Sequence, residues 1–264
     1  MADRSASIAP DYFSNIHIVL VEPSVPGNIG AVARAMKTMG LSSLILVNPV
    51  EFRHEAEARW MAHGAGDILD TAKVVSTVGE AVDEFALVVG TTNRTRSPWL
   101  NPIKPLEEGL AELIAVAWSQ PSGILFGREK SGLLNDELQR CNLIVRIHSA
   151  VTYPSLNLSQ SVMVCAYELF RLSCEAPQQS KTKLADNEDV ERICHRMNQV
   201  LLRIGFVGQP TEDTFMRSIR RVFRRSLRLE KRDVATLHKF CNEIDLYVDH
   251  CSGSSKSHLS NSKE

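Results

Sequence analysis

The feature that most constrains this chain is a repeated alternation between residue 16 and about residue 173. Short, nearly continuous runs of Val, Ile and Leu are separated by stretches with helical spacing. The runs are Ile16–Val21, Leu44–Val47, Ala72–Val75, Leu87–Val89, Ile124–Phe126 and Leu143–Ile147. A strand that is apolar on both faces needs cover on both, and in parallel sheets helices provide it. Helical spacing runs through Ile29–Met39, Glu80–Glu84, Leu106–Trp118, Asp136–Cys141 and from about Leu158 to Leu172. The pattern predicts an α/β domain over residues 16–175, built on a parallel sheet. Trp60 and Met61 read as core residues, and His54 and His63 as surface residues.

The strand signal then stops. Residues 176–187 are rich in Gln, Ser, Lys and Asp and read as a linker. Residues 188–250 read as a small all-α domain of three short helices. Val190, Ile193, Met197, Leu201 and Ile204 recur at helical spacing, with Gly205 as the stop. A second helix begins near Thr214, and a third carries Leu237, Phe240, Cys241, Ile244 and Val248. Residues 1–15 and 251–264 read as flexible ends.

Composition narrows the function. A net charge of −1 over 264 residues leaves only local clusters of Lys and Arg to meet a nucleic acid. Six scattered cysteines and eight histidines show no metal-ligand spacing, and the cysteines read as small buried hydrophobes. Neither an apolar leader nor a membrane-length apolar run is visible, so a cytoplasmic protein is expected.

Three loops, each following a predicted strand, carry candidate chemistry. Ligands bind beyond the carboxyl ends of strands in α/β sheets. The first loop is Glu22-Pro23-Ser24-Val25-Pro26-Gly27-Asn28-Ile29-Gly30, followed by Arg34. Its glycines permit a tight turn and close approach to a ligand, Asn28 reads as a helix cap, and Arg34 is able to reach back. The loop lacks the GxGxxG of dinucleotide sites and the GxxxxGK[ST] of phosphate loops, which removes most of the weight from NAD and ATP. The second is Gly127-Arg128-Glu129-Lys130-Ser131-Gly132. The third, Tyr153-Pro154-Ser155-Leu156-Asn157, opens the long helix, where unpaired backbone N–H groups face a polar ligand or meet only a capping side chain.

In this order and spacing the loops resemble the three motifs of SPOUT-superfamily RNA 2′-O-methyltransferases, in the TrmH-like branch, over residues 16–173. Ala33-Arg34-Ala35-Met36-Lys37-Thr38-Met39-Gly40-Leu41, Phe126-Gly127-Arg128-Glu129 and Ser155-Leu156-Asn157-Leu158 look like those members that modify nucleotide 32 of the tRNA anticodon loop. The resemblance implies a domain whose C-terminal part threads a trefoil knot, a homodimer, and S-adenosylmethionine as methyl donor. It places the cofactor among Thr91, Thr92, Asn93, Gly127, Ile147, Pro154, Ser155 and Leu156. It makes Asn28, Arg34, Glu129, Ser155 and Asn157 the catalytic-site positions. A guanidinium stays protonated at ordinary pH, so Arg34 orients and stabilises charge rather than acting as a simple base. Glu129 either fixes a neighbour or takes the proton. The implied partner is tRNA rather than DNA or a membrane. Ribosomal RNA as substrate, or an RNA-binding protein without chemistry, are the rival readings.

One further cluster bears on RNA. Arg217, Arg220, Arg221, Arg224, Arg225 and Arg228 recur at helical spacing, with Lys231 and Arg232 beyond them. Eight cations opposed by one acid in an otherwise near-neutral chain point to a grip on phosphates. Arg94 and Arg96, beside the cofactor loop, extend it towards the active site in this reading.

Overall fold

A computed structural model describes residues 9–93, 103–150, 156–175, 180, 182–206 and 212–260, without the side chains of 212–213 and 252–260. Two compact units divide between Lys183 and Leu184. The first holds a seven-stranded, wholly parallel sheet in the order β3-β2-β1-β6-β4-β7-β5. Its strands are β1 (Ile16–Val21), β2 (Ser43–Val47), β3 (Lys73–Val75), β4 (Leu87–Thr91), β5 (Ile103–Pro105), β6 (Ser122–Phe126) and β7 (Leu143–Arg146). Helices α1 (Pro26–Thr38), α2 (Ala56–Ala62), α3 (Gly66–Thr71), α4 (Val78–Val82), α5 (Leu106–Ala117), α6 (Asn135–Gln139) and α7 (Leu158–Ser173) connect and cover them.

The strand order positions the site. The chain lays β1, β2 and β3 outward in one direction, then moves to the other side and leaves gaps that later strands fill. Strand β6 enters between β1 and β4, and β7 enters between β4 and β5. The carboxyl ends of β1, β6, β4 and β7 therefore lie side by side. Val19, Val21, Val88, Leu125 and Ile144 from these strands are buried in one core cluster. Arg94 and Arg96 lie outside the described residues.

Several expectations need correction. Strand β5 went unread because Ile103-Lys104-Pro105 holds one aliphatic residue, and an edge position tolerates its proline. The short helices α2 and α3 were not expected, and Trp60 and Met61 on α2 are 82% and 48% exposed rather than core. Within the expected flexible N-terminus, Asp11–Asn15 form a 3₁₀ turn that buries Tyr12 and Phe13. Tyr12 stacks on Trp118 with ring centroids 4.5 Å apart. Cys174 and Cys251 are exposed, while the other four cysteines are buried.

The second unit comprises α8 (Asn187–Arg203), α9 (Glu212–Arg221), a π-helical turn at Val222–Leu227 and α10 (Lys231–Ser260). Leu184 to Asn187, expected as linker, belong here. Leu184 and Ala185 are buried, and Asp186 caps α8 by accepting from the Asp189 N–H at 2.9 Å. Its helices are not all short, since α8 has 17 residues and α10 has 30. Helix α10 continues to Ser260, through most of the tail expected to lack structure. Ile193, Cys194, Val200, Met216, Phe223, Val234 and Cys241 form its own core. Among the described residues no helix is long and apolar enough to cross a membrane.

Candidate active site

Helix α1 begins one turn earlier than the sequence suggests. Pro26 occupies its first position, where a missing N–H costs nothing, and Val25 offers no side-chain cap. Asn28 is thus inside the first turn and not the cap, which leaves its amide available for contacts beyond the helix. Its Nδ2 donates to Glu129 Oε1 at 3.1 Å, and its Oδ1 accepts from Asn157 Nδ2 at 3.0 Å. Asn157 is the N-cap of α7, accepting from the Ser159 N–H at 2.8 Å, while its own N–H donates to Gln160 Oε1 at 3.1 Å. One continuous chain of hydrogen bonds therefore links the three loops named from the sequence.

Glu129 is the hub of this chain. Its carboxylate also accepts from the Ser24 N–H at 3.1 Å and the Ser24 hydroxyl at 3.0 Å. Burial alone would raise its pKa. The hydrogen bonds from Asn28, from its own backbone and from Ser24 together outweigh burial and hold the carboxyl below the usual carboxylate range. Its oxygens are therefore engaged by Asn28 and Ser24.

The first loop's glycines serve packing. A Cβ on Gly30 would lie 2.0 Å from the Ala58 carbonyl oxygen, so α2 crosses α1 at a distance only glycine permits. The Lys37–Asp67 pair, at 2.7 Å, continues the contact onto α3. Arg34 is exposed on α1, and its guanidinium makes no hydrogen bond or ion pair among the described residues.

Of the expected cofactor residues, Thr91 ends β4 and Thr92 and Asn93 follow it, Gly127 follows β6, and Ile147 follows β7. Thr91 Oγ1 donates to the Leu125 carbonyl at 2.9 Å, and the Thr92 N–H donates to the Val145 carbonyl at 3.0 Å. Asn93 is exposed, Ile147 half-buried, and Leu156 38% exposed. Gly127 has no room for a side chain, since a Cβ would lie 2.1 Å from the Gly132–Leu133 backbone. Pro154 and Ser155 lie outside the described residues. Sequence reasoning passed over Ser24, Glu22 and Arg128 as contributors. Glu22 and Arg128 stand 106 residues apart, and only the adjacency of β1 and β6 brings them together.

The basic stripe of the second unit departs most from expectation. Arg224 is 2% exposed, donating from Nε to Asn187 Oδ1 at 3.0 Å and from Nη2 to Glu191 Oε1 at 2.6 Å. Arg220 Nε donates to Glu191 Oε2 at 3.1 Å. Lys231 pairs with Asp186 and Asp189, and Arg232 with Glu230. Arg217 is exposed without a partner among the described residues. Arg221, Arg225 and Arg228 are half-buried.

The parallel sheet with interpolated strands and the three joined loops define a SpoU-type methylase. Residues 15–167 match the SpoU rRNA Methylase family, to which this chain belongs. Residues 188–253 match a second family, the tRNA methyltransferase TrmJ, C-terminal domain. Among individual relatives, the chain is 43% identical over 221 residues to the tRNA (cytidine/uridine-2'-O-)-methyltransferase TrmJ of Cronobacter sakazakii, covering 80% of this chain and 89% of that one. The protein of that name from Sodalis glossinidius is 40% identical over 237 residues, 88% of this chain and 91% of its own. The crystal structure of TrmJ from Z. mobilis superposes with a TM-score of 0.75 at 30% identity, covering 87% of this chain and 98% of the other. A methylase family protein from Neisseria gonorrhoeae gives 0.65 at 31% identity, covering 73% and 98%.

Proposed function

We propose that this chain transfers a methyl group from S-adenosylmethionine to a ribose 2′-hydroxyl of tRNA, at nucleotide 32 of the anticodon loop, as a cytoplasmic homodimer with a trefoil-knotted catalytic domain. The relatives' names support the substrate. The observation that carries the chemistry is the Glu129–Asn28–Asn157 hydrogen-bond chain, with Arg34, on the same helix as Asn28, uncommitted among the described residues. A 2′-hydroxyl is a weak nucleophile, so orientation and charge stabilisation supply the rate.

The residues present suit the cofactor. Half-buried Ile147 and exposed Leu156 offer apolar surface for an adenine, with Thr91, Thr92 and Asn93 adding polar groups and Gly127 a fixed turn. Pro154 and Ser155 complete the set by family resemblance. When bound, S-adenosylmethionine supplies an electrophilic methyl on a sulfonium. The protein's part is positional. Glu129 fixes the Asn28 amide, Asn28 fixes Asn157 at the mouth of α7, and Arg34 holds an adjacent phosphate or steadies the developing alkoxide. Exposed Arg217 grips the RNA backbone, while Arg220 and Arg224 hold the second unit together. Exposed Tyr167 and Val164 on α7 provide apolar surface that a second copy would cover.

The test incubates purified protein with methyl-labelled S-adenosylmethionine and separate pools of tRNA and ribosomal RNA, with Arg34→Ala in parallel. Label on tRNA ribose, lost in the variant, supports the reading. Ribosomal RNA is the second reading, favoured by the family that residues 15–167 match, and label on it alone would replace the substrate.

A further inference from the structure

The two loops that meet at the site are joined by consecutive residues reaching opposite ways. Glu129 turns to Ser24 and Asn28, whereas Arg128 reaches Glu22 and Glu137. Arg128 Nε and Nη2 donate to the two Glu22 oxygens at 2.8 and 2.6 Å. Its Nη1 donates to both Glu137 oxygens, at 3.0 and 3.1 Å. Glu137 in turn accepts from the Leu134 N–H at 2.6 Å, anchoring the entry to α6. Every guanidinium nitrogen is used, and the side chain is 19% exposed. This pairing holds the Glu22 carboxyl below its usual range, chiefly through the hydrogen bonds from Arg128.

Glu22 itself has a φ of +47°, the left-handed region that a glutamate enters only where its surroundings hold it there. The Arg128 fork and the Glu22 N–H to the Val47 carbonyl, at 2.8 Å, are those surroundings. On the other loop, Gly127 abuts the Gly132–Leu133 backbone, leaving that loop one path. We infer that Arg128 is a positioning residue for methyl transfer. Clamped between Glu22 and Glu137, it sets the spacing of the β1–α1 and β6–α6 loops and so holds Glu129 where it orients Asn28 and Asn157. A lysine would keep the charge and lose the planar fork. The inference rests on reading this site as a methyltransferase centre.

The experiment compares Arg128→Gln, Arg128→Lys, Glu129→Gln and the double variant Arg128→Gln/Glu129→Gln. Misplacing groups by about 1 Å costs up to ~100-fold in rate. Each Arg128 variant should thus lower kcat about 10- to 100-fold while tRNA KM and S-adenosylmethionine affinity stay within about two-fold. Because Arg128 acts through Glu129, the double variant should be no slower than the slower single. Losses that multiply, or a full rescue by lysine, overturn the proposal. A second readout needs no turnover: the Glu129 carboxyl titration, followed by carbon NMR, should move up in Arg128→Gln, as burial prevails over weakened hydrogen bonds. An unmoved midpoint in a folded variant overturns the clamp. If the wild type methylates no RNA, the functional reading falls and the titration still decides the clamp. Should Arg128→Gln fail to fold, Glu22→Gln, which weakens one arm, carries both readouts.

Discussion

The loop cluster at the carboxyl edge of the sheet and the arginine-rich helix of the second unit are both dense in polar side chains, yet they dispose of them in opposite ways. In the cluster, Glu129, Asn28, Asn157 and Ser24 satisfy one another and leave one cation, Arg34, without a partner among the described residues. In the second unit Arg220 and Arg224 both close onto Glu191, and Arg224 also onto buried Asn187. A cation is available to a ligand only if the fold sets no acid against it. Counting charges along a helix does not show this, because Glu191 sits on α8 while the arginines sit on α9 and in the π-helical turn.

The difference predicts opposite phenotypes for two arginine truncations. Arg34→Ala should lower methyl transfer about 100- to 1,000-fold, the range for removing one charge-stabilising donor, with the thermal midpoint unchanged. Arg224→Ala should instead leave Glu191 and Asn187 without their buried partner and destabilise the protein by about 3 kcal/mol in urea titration. A stable Arg224→Ala protein with weakened tRNA binding would break the comparison, since Arg224 would then belong with the phosphate-gripping arginines.

A somewhat smaller effect tests whether the first loop's glycines serve packing. Gly30→Ala places a methyl against the Ala58 carbonyl, with backbone on both sides and nothing flexible to move. Overpacking of this kind costs about 2 kcal/mol. Gly27→Ala meets only the end of the Glu57 side chain and should be much milder. Equal costs, measured by thermal unfolding, would mean that α1 and α2 are not fixed by that crossing.

How far each region is legible follows from the same physics. The five inner strands announce themselves because burial demands nearly unbroken Val, Ile and Leu, the edge strand β3 is read from Val74-Val75 although it buries little, and the loops follow from the strands. Strand β5 is silent because it lies at the edge and buries little. At the site, residue types and order were visible, but partners were not. Asn28 passes for a cap until Pro26 is seen to start the helix, and Arg128 passes for a solvated charge until β6 settles beside β1. Arg224 misleads most, because its partners lie 37 and 33 residues back on another helix.

A pH dependence extends the comparison to the far edge of the sheet. His17, at the start of β1, stacks on Phe85 and shares a 2.6 Å hydrogen bond with Ser43. Burial lowers its pKa below the ordinary 6.5, Glu84 opposes that effect and Lys73 adds to it. The unfolded chain thus takes up this proton more readily than the folded one. Stability is present above about pH 6.5 and falls as pH drops below it. His17→Asn should flatten the thermal midpoint between about pH 7 and 5.5. An unchanged slope would assign the acid sensitivity to other groups.

The smallest expected effect sharpens the comparison within a single helix. Arg217 and Arg220 lie three residues apart on α9, one without a partner among the described residues and one bound to Glu191. If exposure without an acid marks a phosphate contact, Arg217→Ala should weaken tRNA binding only a few-fold, yet reduce the slope of log affinity against log salt by about 0.9. The thermal midpoint should not move. Arg220→Ala should do the reverse, leaving the salt slope intact and lowering the midpoint slightly, since its ion pair is partly exposed and therefore weak. Matching salt slopes for the two variants would mean that Arg220 exchanges Glu191 for phosphate when RNA arrives. The pairing would then be a resting arrangement of the basic helix, and the contrast with the closed Arg224 contact would run along the helix rather than between the two units.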